Sequence, residues 1–297
     1  MAAASPLLDP GFARELEALR RRLQVRARSG NGGEHLGKRR GGSAEFLEHR
    51  PYTPGDDLRR IDWLAFARTG EPIFKLFRAE EDVVVRLLID ASASLDGVGE
   101  DEPTKLLMAK KLAASVGYMA IAGSERAQVV TASEGSLPKM CEPTRGRASL
   151  PKLLRELDAI HAHGGTDLAR AIDSVVQRSA RPGMLVVISD FLDPGPFDRA
   201  IVRAASAGHD ISLLQVLSHD ELNPPWDGDL ALEDAETGAV VEVTVDSRAI
   251  AAYMDRLNAL VLGLRALAKR TRAGYVRVST RDPVITAARR FVARTVD

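Results

Sequence analysis

Beyond residue 82 the chain alternates short apolar runs with longer stretches in which apolar positions recur every three to four residues. The runs VVVRLLI (83–89), AQVVT (127–131), MLVVIS (184–189) and ISLLQVL (211–217) have strand length, and YVRVS (275–279) adds a short last one. Almost unbroken apolar runs of this kind predict strands buried on both faces. Helical spacing fills the intervals at about 103–122, 149–160, 166–180, 196–207 and 247–272. Strands alternating with such helices are joined by right-handed crossovers. The pattern therefore predicts an α/β fold, a mostly parallel sheet with helices on both faces. The stretch 228–245, GDLALEDAETGAVVEVTV, departs from it. Two alternating strands there flank Glu236, Thr237 and Gly238, which predicts a hairpin inserted between the fourth strand and the long helix.

Upstream, the pattern changes twice. Asp9 and Pro10 resemble an N-cap followed by a first-turn proline, and Phe12, Leu16, Leu19 and Leu23 repeat at helical spacing. An amphipathic helix ending in arginines is predicted within 9–28. Residues 29–50 are glycine-rich and basic, the composition of a loop. From Phe46 to Arg78 charged and aromatic residues crowd together, with an extended stretch near 71–78. The expected organisation is a helix and basic arm over 1–45, a charged and aromatic cap segment packed on the sheet over 46–81, and the α/β domain over 82–297.

Composition narrows the function classes. A chain of 297 residues, 45% hydrophobic, supports one main domain with an attached arm. The 41 basic and 41 acidic residues cancel, so no global field recruits nucleic acid or an anionic membrane. The single cysteine, Cys141, excludes an internal disulfide framework and a Cys-rich zinc site. MAAASPLLDPGF lacks the layout of a signal peptide, and no run approaches the ~18–20 apolar residues of a membrane span. A cytoplasmic protein without a membrane span is expected. Gly32 to Lys38 mimics a phosphate-binding loop, but Arg39 stands where a Ser or Thr should hold Mg²⁺, and no buried strand precedes it. The basic run from Arg20 to Arg40 lacks interleaved aromatics and reads as a solvated or partner-facing arm.

Candidate chemistry gathers where the strands end. Ligands of open α/β sheets collect outside the carboxyl ends of the strands, and the first main strand ends in Asp90, followed by Ala91, Ser92, Ala93 and Ser94. A phosphatase would need a proton donor at position 92, which is Ser. A receiver domain would need an acidic cluster and a lysine after the last strand, and neither is present. Asp90, Ser92 and Ser94 can instead turn one carboxylate and two hydroxyls toward a hard cation. Such a cation takes about six oxygen ligands, so other strand ends must contribute. Thr166, in the loop His161-Ala162-His163-Gly164-Gly165-Thr166, and Asp190, after MLVVIS, are placed to do so. His161 and His163, with no Cys or third His nearby, suit a solvated loop better than zinc.

These five residues resemble the metal-ion-dependent adhesion site of von Willebrand factor A domains. The resemblance implies Mg²⁺, with Mn²⁺ or Ca²⁺ as substitutes, held by Asp90, Ser92 and Ser94. Thr166 and Asp190 would act directly or through water, and one position would stay open for a partner's carboxylate. A longer match lies upstream: RPYTPGDDLRRIDWLAFAR is similar to the signature of the bacterial family called Domain of Unknown Function 58. Arg50, Tyr52, Gly55, Asp56, Arg59, Ile61, Asp62, Trp63, Ala67 and Arg68 carry it. Members are often encoded beside MoxR-type AAA+ ATPases and are thought to act with them as adaptors. The resemblance thus implies a von Willebrand factor A-like fold. It also implies a non-enzymatic, metal-dependent protein-interaction module whose partner is such an ATPase, reached through an acidic residue. The signature residues would serve as a charge-paired cap or a docking surface. The alternative is a metal-assisted hydrolase using the same ion to activate water.

Overall fold

The computed structural model describes residues 7–20, 45–53, 58, 61–78, 83–96, 103–133, 137–193 and 195–294. They divide into two units, one of Met1–Gly30 with Val83–Asp297 and one of Asn31–Asp82. In chain order the elements begin with α1 (Pro10–Arg20), β1 (Glu45–Pro51), α2 (Trp63–Thr69) and β2 (Ile73–Arg78). The main unit continues with β3 (Val84–Asp90), α3 (Lys105–Ala122), β4 (Arg126–Ala132), β5 (Lys139–Met140), α4 (Leu150–Asp158), α5 (Leu168–Arg178) and β6 (Met184–Ser189). It ends with α6 (Phe197–Ser206), β7 (Asp210–Leu217), α7 (His219–Leu222), β8 (Gly228–Glu233), β9 (Val240–Val245), α8 (Ser247–Thr271), β10 (Gly274–Ser279) and α9 (Val284–Ala293).

The apolar runs form one six-stranded sheet in the order β10-β7-β6-β3-β4-β5. All neighbours are parallel except the short edge strand β5. This matches the expected α/β class, and the order is that of a doubly wound sheet whose first strand lies at its centre. The two-residue periodicity of the strands sorts their side chains to opposite faces. Val85, Leu87 and Ile89 of β3 pack with α1, α3, α4 and α9 through Leu16, Leu112, Leu153 and Phe291. Leu88 of β3, with Leu185 and Val187 of β6, packs on the other face with α5, α6 and α8 through Ile172, Ile201 and Leu264. Helix α3 comes close to the sheet because Gly117 has no side chain; a Cβ there would lie 2.6 Å from Leu153 Cδ2 and 3.2 Å from Leu87 Cδ1.

The N-terminal helix is present, with the Asp9 carboxylate accepting from the N–H groups of Gly11 and Phe12. It packs on the main core through fully buried Leu16. The expected continuation to residue 28 lies outside the described residues. The hairpin is present as β8 and β9, a separate two-stranded antiparallel sheet running from Gly228↔Val245 to Glu233↔Val240. No helix among the described residues is long and apolar enough to cross a membrane.

The smaller unit has its own antiparallel pair, β1 with β2, which the sequence showed only as one extended stretch. Asp62 caps α2 by accepting from Leu64 N and Ala65 N, both at 3.1 Å. Gly70 closes that helix at φ 75, in the left-handed region that glycine enters without strain. The Arg50 guanidinium lies 4.7 Å from the centre of the Phe74 ring.

Candidate metal centre

The chain places β4 on one side of β3 and then crosses to place β6 on the other. The topological switch point therefore lies between β3 and β6, where a crevice opens at the carboxyl ends. Asp90 is the last residue of β3, and Asp190 directly follows β6. The loop after Asp90 is tied to its neighbours by backbone bonds. Ala91 N donates to Ala132 O at 2.9 Å, Ala93 N to Gly164 O at 2.8 Å, and His163 N to Ala91 O at 2.9 Å. The last two bind the Ser92 and Ser94 loop to the Gly-Gly-Thr loop that carries Thr166.

Four of the five predicted residues are joined by hydrogen bonds. Asp90 Oδ1 accepts from Ser92 N at 3.0 Å, and the Ser92 and Ser94 hydroxyls are 2.9 Å apart. Ser94 Oγ donates to Asp190 Oδ2 at 3.4 Å. Thr166 Oγ1 is buried and has no hydrogen-bond partner. A buried hydroxyl left unmade costs about 1–3 kcal/mol, so one in a crevice of this kind calls for a missing partner. Burial, and then the charge of Asp190, push the Asp90 carboxyl up to about 6, against the lowering bonds from Ser189 and Ser92. Two buried carboxylates and three hydroxyls form an oxygen-only donor set short of positive charge, which fits a hard cation. Among the described residues no three His, Cys, Asp or Glu side chains cluster as a metal-binding group. The set takes three of its five donor groups from hydroxyls and does not need such a cluster. His163 Nδ1 contacts the His161 carbonyl, and both rings are exposed.

Several residues that hold the site were not singled out from the sequence. Ser189 Oγ donates to Asp90 Oδ2 at 2.7 Å and accepts from Phe191 N at 2.9 Å. Phe191 itself sits at φ 60, an uncommon conformation for a bulky residue, directly after Asp190. Gln215 Nε2 donates to Asp190 O at 3.0 Å, and Tyr275 OH donates to Gln215 Oε1 at 2.6 Å, all of it buried. This chain of bonds runs from β10 through β7 and fixes the backbone of the β6 strand end. Lys105 places its ammonium 2.8 Å from Asp190 Oδ2 and 2.7 Å from Glu221 Oε1, with 4% of its side chain exposed. Burial works to lower the Lys105 pKa, but the two carboxylates outweigh it and leave it raised. The Glu221 carboxylate also closes a capping box with Ser218 at the start of α7. One signal for Lys105 was available: it opens the apolar helix KLLMAKKLAASVGYMAIA, at the end where the helix dipole disfavours a cation. At the tip of the β8–β9 hairpin, burial raises the Glu236 carboxyl above its ordinary value, as do the charges of Asp190 and Asp234, against the lowering influence of the Ser94 and Ser92 hydroxyls.

Over residues 48–259 the chain matches the family described as Protein of unknown function DUF58. The chain belongs to this family. Two mycobacterial relatives, the uncharacterized proteins Mb1516 of Mycobacterium bovis and Rv1480 of Mycobacterium tuberculosis, are each 35% identical over 242 residues, 80% of this chain and 75% of theirs. Among solved structures, the conserved hypothetical protein BatB from Bacteroides thetaiotaomicron is similar at TM-score 0.46 and 17% identity, over 71% of this chain and 97% of that one. The SpRpn10 VWA domain is similar at TM-score 0.39 and 11% identity, over 69% of this chain and 93% of that one.

The DUF58 match spans both units and all five strand-end residues. Of the signature positions, Gly55, Asp56 and Arg59 lie outside the described residues. Arg50, Tyr52, Asp62, Trp63 and Arg68 belong to the smaller unit, and the five oxygen donors belong to the main one. Within it Asp62 acts as a helix cap, and Trp63 packs edge-on against Phe66 with ring centres 6.0 Å apart.

Proposed function

We propose that this DUF58 chain is a non-enzymatic, metal-dependent protein-interaction module, an adaptor that works with a MoxR-type AAA+ ATPase in the assembly or maturation of protein complexes. The orphaned hydroxyl of Thr166, buried beside a loop in which Asp90, Ser92, Ser94 and Asp190 already converge, carries the metal reading. Asp90 would hold the cation through its carboxylate, with Ser92, Ser94 and Thr166 adding neutral oxygen. Asp190 already has its charge offset by Lys105, so Asp90 is the carboxylate left without an ion pair among the described residues. Bound Mg²⁺, or Mn²⁺ or Ca²⁺ in its place, supplies an electrophilic centre that an acidic side chain of another protein can join. A donor set this poor in uncompensated anions favours such capture. The choice of partner rests on the resemblance of the segment from Arg50 to Arg68.

Isothermal titration with Mg²⁺ and Mn²⁺, beside the Asp90→Ala variant, tests the metal reading. Saturable binding by wild type that the variant loses is the expected result; no binding by folded wild type overturns it. Retention of the ATPase on immobilised protein then tests the partner. Equal retention by wild type and Asp90→Ala in the presence of Mg²⁺ would remove the cation from the contact.

A further inference from the structure

Lys105 lies where an ammonium is costly. It is the first residue of α3, at the end where the helix dipole disfavours a cation, and its side chain is 4% exposed. Apolar residues of similar volume would fill such a place without desolvating a charge. The chain instead supplies two carboxylates to hold the ammonium, Asp190 Oδ2 at 2.8 Å and Glu221 Oε1 at 2.7 Å. Glu221 is itself fixed, since its other oxygen accepts from Ser218 N at 2.7 Å and its carbonyl accepts from Tyr253 OH at 3.0 Å.

The oxygen that Lys105 holds is the one that meets the candidate metal centre. Asp190 Oδ1 is taken by its own loop, accepting from Leu192 N at 3.1 Å. Oδ2 accepts from Ser94 Oγ at 3.4 Å, a hydroxyl assigned to the metal, and carries the ammonium as well. The backbone behind this carboxylate is fixed, because Gln215 Nε2 donates to Asp190 O at 3.0 Å and Tyr275 OH in turn donates to Gln215 Oε1. What decides whether Asp190 can reach a cation is therefore the ammonium on Oδ2. Asp90, by contrast, accepts from neutral donors, Ser92 N at 3.0 Å and Ser189 Oγ at 2.7 Å.

We propose that Lys105 is a positioning residue that withholds Asp190 from the bound cation and so leaves a coordination position open for the carboxylate of a partner. The inference rests on the proposed metal reading. A hard divalent ion takes about six oxygen ligands, and each carboxylate that joins it weakens its pull on the next. An ion held by Asp90 and hydroxyls keeps the stronger pull. With Asp190 bound directly, the chain itself would supply a second anion, and a partner's carboxylate would be the third. Lys105 thereby lowers affinity for the metal and raises the affinity of the bound metal for the partner.

Mn²⁺ is the probe, with electron paramagnetic resonance for affinity and water-proton relaxation for the number of exchanging waters on the bound ion. Wild type, Lys105→Met, Asp190→Ala and Asp90→Ala are compared, each shown to be folded by circular dichroism at the assay temperature. Lys105→Met should bind Mn²⁺ about tenfold more tightly, as a freed anionic ligand predicts, and its ion should carry fewer exchanging waters than that of wild type. Added acetate should displace water from the wild-type ion more readily than from that of Lys105→Met. An affinity no higher than that of wild type overturns the proposal. So does a higher affinity with an unchanged water number, because only repulsion between two cations would then have been removed. Asp190→Ala keeps the ammonium on Glu221 and should leave the water number of wild type unchanged. A gain of water there would make Asp190 a ligand already and overturn the proposal, even if Lys105→Met fails to fold. Binding by wild type that Asp90→Ala loses upholds the metal reading whatever the other variants show; no binding by folded wild type refutes both.

Discussion

Replacing Asp90 with Asn separates a residue kept for binding from one kept for folding. Asp90 is 1% exposed, and burial together with Asp190 raises its pKa from 3.8 to about 6. At about 1.4 kcal/mol for each tenfold change, holding this carboxylate ionised in the folded protein costs about 3 kcal/mol at neutral pH. The amide of Asn removes that cost and keeps an oxygen for Ser92 N. Its NH₂ must then face the Ser189 hydroxyl, which can turn to accept, at a loss of about 1 kcal/mol for the poorer bond. The metal-free variant should therefore be about 2 kcal/mol more stable than wild type at pH 7. The folded-state pKa lies above the unfolded value, so the cost is complete above about pH 6 and fades as the pH falls toward 3.8. The advantage of the variant should fade with it, vanish at pH ~4.5, and give way at lower pH to the loss of about 1 kcal/mol from the poorer bond. Saturating Mg²⁺ should reverse the order at pH 7, because only wild type gains binding free energy. Urea unfolding at pH 7 and pH 4, in chelator and in Mg²⁺, measures all of this. An Asp90→Asn variant less stable than wild type at pH 7 in chelator would refute the reasoning, since the carboxylate would then be a net structural asset.

Other substitutions probe the surroundings. Lys105→Met keeps the apolar stem but leaves Asp190 and Glu221 without their cation, and should cost about 3–5 kcal/mol in urea unfolding; a loss under about 1 kcal/mol would mean that water already shields the pair. His209 is held down to about 4 by burial and by Arg86, so it is neutral in the fold. Protonation of the unfolded chain near pH 6.5 should then remove about 2 kcal/mol of stability between pH 6.5 and 4, after allowance for solvent screening. His209→Gln should flatten that part of the pH profile, and an unchanged slope would assign it elsewhere. A Cβ on Gly183 would lie 2.4 Å from Val84 O, so Gly183→Ala should lower stability by about 2–3 kcal/mol in thermal unfolding; a variant that melts with wild type would show that the start of β6 can move aside.

The parallel strands were legible because they are buried on both faces and so appear as unbroken apolar runs. The hairpin was legible for the opposite reason, since strict alternation and Thr237-Gly238 mark a two-stranded ribbon. Short elements were not. The two-residue strand β5 has no period to detect, and α2 hides within a segment whose charges and aromatics dominate its pattern. The pairing of β1 with β2 joins residues 45 and 78, a contact that no local window contains.

The positions of the five candidate residues were legible because a strand end marks its own last residue, and a Gly-Gly loop or an acid after an apolar run can be read locally; the hydrogen bonds join four of them. Their charge balance could not be read that way. Lys105 and Glu221 reach the end of β6 from α3 and α7, and only the folded topology brings them together. That arrangement divides the site in two. On one side Lys105 compensates Asp190 and Glu221 at distances of 2.8 and 2.7 Å. On the other, Asp90, the serine hydroxyls and the orphaned Thr166 hydroxyl have no ion pair to a protein cation among the described residues. A divalent ion bound beside Asp90 and the hydroxyls would meet both that carboxylate and the unmade Thr166 bond.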